Sequence, residues 1–439
     1  MDAASRVNLW KESRRISKRR PLFCISLKPG YVPPRVVLKK EPTHAADKEA
    51  LSRILSVKPS WAAMQSAGDA VNLPENTLLH AGPAFQDPSE VVQPILNSAR
   101  VALVFNGNAS DFDQAEDLIF SGKVSLEPAQ DYDVVTPLAA VVSSKMLLHR
   151  VQDESDTSIK AFSPINGGNG PAPRLGICSP DALSHLTWLH GSLGPVLAEV
   201  CVDGISLLDI AAQSVREGDD CHGRTPVGTR LLLEKIEPRL RTHGRGKESV
   251  SFIEDGPSFF LNLWMAASKA ILLGAKGTPE SSLIITAAAN GRETGIQVAG
   301  LPGKWFTAPA SPPNGDFDVD LPRSRALGAI GDSAIVDALG FGAMAMSFSP
   351  IQQQNLGHLL PSDGLTVGAM LTSSLHPDFT DLGLSIGITA RACVDANRAP
   401  LVSLGILDKQ GETGRLGGGI FEQPMSLFTD STNALTAPS

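Results

Sequence analysis

The chain has 439 residues, 42% hydrophobic and 19% charged, a globular composition long enough for two or three domains. Its formal net charge of −8 argues against a nucleic-acid-binding protein, which needs a basic surface. Five cysteines (Cys24, Cys178, Cys201, Cys221 and Cys393) are scattered with no C-x-x-C pair, so there is no sign of a disulfide framework or of that type of zinc site, and a reducing, cytoplasmic setting is expected.

Residues 1–40 hold eleven Lys/Arg and two acidic residues. This start, taken as 1–42, reads as a basic, disordered tail; a transit peptide and a mis-assigned start are the alternatives. An N-terminal α/β domain is expected over 43–177. It opens with a helix at 48–57 carrying Leu51, Ile54 and Leu55 on one face. An apolar run, 78–83, ends at a turn. Asp87-Pro88-Ser89-Glu90 reads as a capped helix start, followed by Val91, Val92 and Ile95. A strand at 101–105 would enter the Asn106-Gly107 turn, a helix would cover 113–120, and a strand broken by Pro137 would cover 134–142. The 166–170 loop is glycine-rich, but no G-x-x-x-x-G-K-[ST] is present and no helix follows it directly.

A helical middle domain is expected over 178–280. Ser179-Pro180-Asp181 opens a helix with Leu183, Leu186, Leu189 and Leu193 inward. His185 and His190 lie five apart on it, whereas metal ligands on one helical face want three or four. Further helices cover 206–217, 227–240 and 258–273. The last contains Asn262, Ser268 and Lys269, and is too short and polar to span a bilayer. From 281 to 429 strands at 283–288, 296–298, 305–308, 317–319, 384–390 and 401–407, with a helix at 333–339, give a C-terminal α+β domain. Residues 430–439 read as a loose tail. The whole chain is thus of the α+β class.

Residues 218–230 concentrate chemistry between two helices. Gly218 stops the first helix through its freedom to adopt the left-handed cap conformation. Thr225-Pro226 reads as cap and first residue of the second. Asp219, Asp220, His222 and Arg224 then lie at a helix N-terminus, where backbone N–H groups and the dipole favour anions. Asp219 and Asp220 either orient His222 or merely cap the joint and pair with Arg224. Elsewhere, Asn290-Gly291 is a hairpin signal or a polar site, and Trp305 presents its indole at a cleft or is buried. Asp332 before Ser333 is a helix cap or a site carboxylate, and 411–419 reads as a mobile glycine loop carrying Arg415.

Together the stretches L-L-H-A-G-P (78–83), G-D-D-C-H-G-R (218–224), F-F-L-N-L (259–263), A-N-G (289–291), W-F-T-A-P (305–309), G-D-S-A-I (331–335) and the glycine loop at 414–419 resemble the YlbE-like family, collinearly over roughly residues 45–428. That family includes a subunit of the bacterial oxamate carbamoyltransferase of allantoin breakdown. The resemblance implies an oligomeric, multi-subunit enzyme whose partners are an FdrA-like subunit and a third small subunit. It also implies carbamoyl transfer between a ureido acid, oxalurate, and phosphate as co-substrate, giving oxamate and carbamoyl phosphate. Such chemistry needs cations for two anions, oxyanion donors and a proton carrier. His222 suits proton transfer, with Asp219 or Asp220 orienting it. Arg224, Asn290, Gly291, Trp305, Asp332, Ser333 and His80 are the expected substrate-binding positions. Where many members carry a histidine pair before a G-P-M-A-G-like segment, this chain reads Gln130-Asp131-Tyr132-Asp133-Val134-Val135-Thr136-Pro137. Two alternatives stay open: a non-catalytic scaffold, and a hydrolase whose divalent metal, Mg²⁺ or Mn²⁺, would sit on Asp219, Asp220 and His222. The first reading takes no metal.

Overall fold

The computed structural model describes residues 44–436, all within one compact unit; the basic segment expected at 1–42 lies outside them. The fold is α+β, with five small sheets among the described residues. The first sheet is antiparallel, with Pro59–Ser66 between Leu147–Asp153 and the short Ile205–Ser206, and Lys160–Pro164 at its edge. Thr77–His80 pairs in parallel with Ser125–Pro128. Towards the C-terminus, Ile284–Asn290 and Glu293–Val298 form a hairpin flanked by Ile330–Gly331 and Phe306–Pro309. Arg415–Glu422 runs between Asn314–Phe317 and Leu401–Leu407, and Thr372–Leu375 pairs with Ser385–Ile388.

The helix Phe259–Leu273 is the spine. Every residue but Leu261 is buried, as befits a helix that is apolar all round. It packs against Leu147–Asp153, Lys160–Pro164 and Ile284–Asn290 and so joins the N- and C-terminal sheets. Trp264 stacks on Phe260 and meets Phe341 edge to face; truncating such a side chain to alanine costs about 3–5 kcal/mol. Two of the helix's polar residues, Asn262 and Lys269, are matched. Asn262 Nδ2 donates to Pro164 O, and Lys269 Nζ donates to Ile285 O and Thr286 Oγ1. Burial lowers Lys269 to about 8.

Five segments differ from expectation. Residues 101–105 belong to the helix Gln93–Asn106, not a strand. A short apolar run looks alike in both states, and here Ile95, Ala99 and Ala102 supply the helical repeat while Gly107 adopts the left-handed cap. Asp87 does cap, accepting from Ser89 N–H, but only a single turn, Pro88–Glu90, follows before the chain extends at Val91–Val92. Residues 134–142 are irregular, touching sheets only through single bridges at Val134 and Val142. The glycines at 417–419 lie inside the strand Arg415–Glu422, where the backbone of 314–317 approaches so closely that a Cβ at Gly417 would fall 1.8 Å from Asp316 O. The loose tail expected from 430 continues the helix Met425–Thr436 up to its end.

Candidate active site

The helix Leu207–Arg216 ends at Gly218, whose φ of +85° turns the chain back. The next two carboxylates then wrap the backbone. Asp219 accepts from Cys221 N–H and, across the turn, from Val227 N–H. Asp220 accepts from the N–H groups of His222, Gly223 and Arg224. Asp219 therefore caps the helix Pro226–Leu240. Thr225, expected in that role, turns its hydroxyl to Pro257 O instead. The helix N-terminus expected to receive an anion is already filled by the protein's own carboxylate. Burial, then the neighbouring Asp220, pushes Asp219 up to about 8. Cys221 sits at φ +58°, a left-handed conformation that this double wrap enforces.

His222 emerges from the turn with Nδ1 2.6 Å from Asp337 Oδ2, and the two side chains are 4% and 1% exposed. Asp337 comes from the short helix Ala334–Leu339 and is fixed by Ala343 and Ser403 N–H groups donating to Oδ1. The chain crosses this pair at Gly342, φ +59°. A Cβ there would lie 2.4 Å from Asp337 Oδ1 and 2.9 Å from His222 Nδ1. Burial alone would depress the imidazole. Asp337, beside it, and Asp220 overcome that and raise it above its ordinary value. Neither Asp219 nor Asp220 contacts the ring; the orienting carboxylate is Asp337.

The ring lines a cleft of about 630 Å³. Of the expected site residues, His222, Arg224 and Ser333 face it, while Arg174, Arg415, Gln352 and Ser403 join them from other segments. Arg174 follows the 166–170 loop, donates from Nη2 to Gly168 O, and keeps a buried Nε without a partner. Burial, then nearby Arg415, lowers it to about 10, so it stays charged. Arg415 is held by Asp318 at 2.9 Å and lies over Gly418, where a Cβ would come within 3.1 Å of its Nη2. The Arg224 guanidinium has no partner among the described residues. Three guanidinium-bearing residues and one carboxylate-held imidazole thus share one cavity.

The other expected residues lie apart from the cleft wall. Asn290 accepts from the N–H groups of Arg292 and Glu293 and donates to Pro83 O, so its amide is fully committed to the hairpin. Gly291 takes the φ of +90° that the turn requires. Buried Asp332 accepts from Gly82 N–H, Gln130 Nε2 and both Thr136 donors, and burial raises it to about 6. Trp305 Nε1 donates to Asp131. His80 is buried against Phe85 and lowered by burial to about 4, hence neutral. The stretches 78–83, 130–136, 289–291 and 331–332 therefore form one hydrogen-bonded junction beneath Ser333, the member that reaches the cleft.

Sequence reading missed Asp337, Arg174, Gln352 and Ser403. A lone carboxylate inside Ala334-Ile335-Val336-Asp337-Ala338-Leu339 was a usable signal, because an ion in an apolar helix needs a buried partner.

A family model described as oxamate carbamoyltransferase subunit AllG matches residues 124–333. The uncharacterized protein YahG of Escherichia coli (strain K12) is 30% identical over 399 residues, covering 88% of this chain and 84% of that protein. Oxamate carbamoyltransferase subunit AllG of the same strain is 28% identical over 411 residues, covering 89% of this chain and 97% of that protein. The crystal structure of a conserved protein of unknown function from Enterococcus faecalis V583 matches with a TM-score of 0.83 at 27% identity, covering 89% of this chain and 96% of that one.

Proposed function

The chain belongs to the family described as oxamate carbamoyltransferase subunit AllG, and on that premise we propose that it is a subunit of a carbamoyltransferase complex. The reaction is that of a ureido acid such as oxalurate with phosphate. A phosphate oxygen bonds to the ureido carbon, and the bond from that carbon to the oxamate nitrogen breaks. That nitrogen takes a proton, leaving oxamate and carbamoyl phosphate.

The observation that carries this reading is the buried His222–Asp337 pair opening on the same cleft as Arg174, Arg224 and Arg415. Two anionic reactants repel one another, and fixed guanidinium groups offset that repulsion while giving two-pronged contacts to carboxylate or phosphate. With Nδ1 facing Asp337, the ring keeps Nε2 for the substrate. It takes the proton of the attacking hydrogen phosphate and returns it to the leaving nitrogen. The hydroxyl of Ser333 has no protein partner among the described residues and supplies a donor to the developing oxyanion, a role Asn290 does not fill. One such donor is worth about 3 kcal/mol of barrier.

The complex includes an FdrA-like subunit and a third small subunit, acts in the cytoplasm, and uses phosphate as co-substrate. No helix among the described residues is long and apolar enough to cross a membrane. The metal-hydrolase alternative fares worse, because Asp219 and Asp220 direct their oxygens to backbone N–H groups rather than into the cleft. The test is a phosphate-dependent assay with oxalurate that follows carbamoyl phosphate, using this chain alone and with its FdrA-like partner. Product in either arm supports the reading. A stable complex yielding none with any ureido acid refutes it in favour of a scaffold.

A further inference from the structure

The helix Pro350–Leu356 is latched to the 218–230 joint by Ser349 Oγ, which donates to Gly218 O at 2.7 Å. It carries Gln352 into the cleft wall. Gln352 is only 3% exposed, yet its carboxamide has no partner among the described residues. A Cβ on Gly223, the residue after His222, would lie 2.1 Å from Gln352 Nε2 and 3.1 Å from Asp220 Oδ2. The glycine is what lets the amide settle against the backbone beside the imidazole. Buried amides are nearly always hydrogen-bonded, so an unpaired one in a cavity wall calls for a ligand.

A carboxamide offers an N–H donor and a carbonyl acceptor side by side. Its match is a group with the same two features reversed, which a carbamoyl group, H₂N–C=O, provides. A carboxylate or phosphate would satisfy the donor but face the acceptor with like charge, and the cleft already has guanidinium groups for those. We propose that Gln352 is the specificity-determining residue that recognises the terminal carbamoyl group of the ureido substrate and holds its carbon beside His222. This rests on the carbamoyl-transfer reading and names the group that the site selects.

The test uses the full chain in its complex, with oxalurate, phosphate and the oxalurate analogue in which methyl replaces the terminal amino group. Calorimetric binding, KM and kcat are compared for the wild type, Gln352→Met and Gln352→Glu. The methionine variant removes both hydrogen-bonding features at similar volume; the glutamate keeps the shape and replaces the donor by an acceptor. The methionine variant should bind oxalurate about 10- to 100-fold more weakly, as for two lost neutral hydrogen bonds, and the glutamate variant about 3- to 10-fold more weakly, as for one. In the methionine variant the affinity for phosphate should stay within about twofold and the wild-type preference for oxalurate over the methyl analogue should vanish, whereas the glutamate variant, which keeps an acceptor for the carbamoyl N–H, should keep that preference. If the methionine variant, melting as the wild type does, retains that preference, the proposal is overturned while carbamoyl transfer stands. If the wild-type complex binds phosphate but neither binds nor consumes any ureido acid, the reading beneath it falls as well.

Discussion

Asp337→Asn isolates the charge that sustains the site. The asparagine carbonyl can still accept from Ala343 and Ser403, as Asp337 Oδ1 does, so the backbone around it is kept. What disappears is the negative charge 2.6 Å from the His222 ring. Breaking a buried ion pair by removing one partner costs about 3–5 kcal/mol. The sign with pH follows from the shift. His222 is raised in the folded chain above its ordinary 6.5. The stability it contributes is therefore complete below 6.5 and lost as pH rises through the folded value. Asp337 is raised by burial, and its contribution too is lost as pH rises. Wild type should then melt roughly 5–10 °C above Asp337→Asn near pH 6, taking about 2 °C per kcal/mol for a large unit, and the gap should narrow towards pH 9. Scanning calorimetry at the two pH values is the assay. An equal gap at both would mean that shape rather than charge was lost, and no gap would mean that the pair carries no ionic energy. The amide would also donate to Nδ1, forcing the ring proton onto Nε2, so turnover should fall about 10²–10⁴-fold.

Other consequences follow from the same geometry. Arg224→Ala should weaken phosphate binding about 10- to 100-fold, as for a lost charged hydrogen bond, while the melting temperature holds, since the guanidinium has no protein partner among the described residues; titration calorimetry reads both the affinity and its failure to change. Asn290→Ala should do the opposite, destabilising by about 2–4 kcal/mol through the stranded hairpin groups, with kcat of the folded fraction unaltered in a urea-unfolding and activity pair of measurements. Turnover should rise with pH across a transition above 6.5, because a raised His222 must lose its proton before it can accept one; a profile flat across that range would remove the imidazole from the proton-transfer step.

Much of the local architecture was legible because it depends on neighbours in the chain. Gly218 ends one helix and Pro226 begins the next as their backbone preferences dictate, and Asn290-Gly291 closes a hairpin. Misreadings came where two states share a pattern. The run at 101–105 is apolar without alternation, and the helical repeat of Ile95, Ala99 and Ala102 decides it as helix. The glycines at 417–419 looked mobile because their composition says nothing of the strand that presses against them. Thr225 lost its cap to Asp219, since a carboxylate arriving through the turn reaches Val227 N–H first.

The cleft was legible only in part, and for a different reason. His222, Arg224 and Ser333 stand in conspicuous stretches, but Asp337, Arg174, Gln352 and Arg415 come from four separate segments that only the packed chain brings together. Conspicuous stretches are no guide by themselves. Those at 78–83, 289–291 and 331–332 are unusual because they build a buried junction held by particular hydrogen bonds, such as those of Asp332 and Asn290. The site shows itself instead where a local rule is broken without local compensation. Asp337 is an ion in an apolar helix, Gln352 is a buried amide with no partner among the described residues, and Gly223 and Gly342 are bare only because a functional side chain occupies the space their Cβ would take. Asp337 is satisfied by His222 across the fold, whereas Gln352 and the Arg174 Nε find no partner among the described residues, and it is such unpaired groups in the cleft wall, rather than the longest motifs, that mark where a ligand would lie.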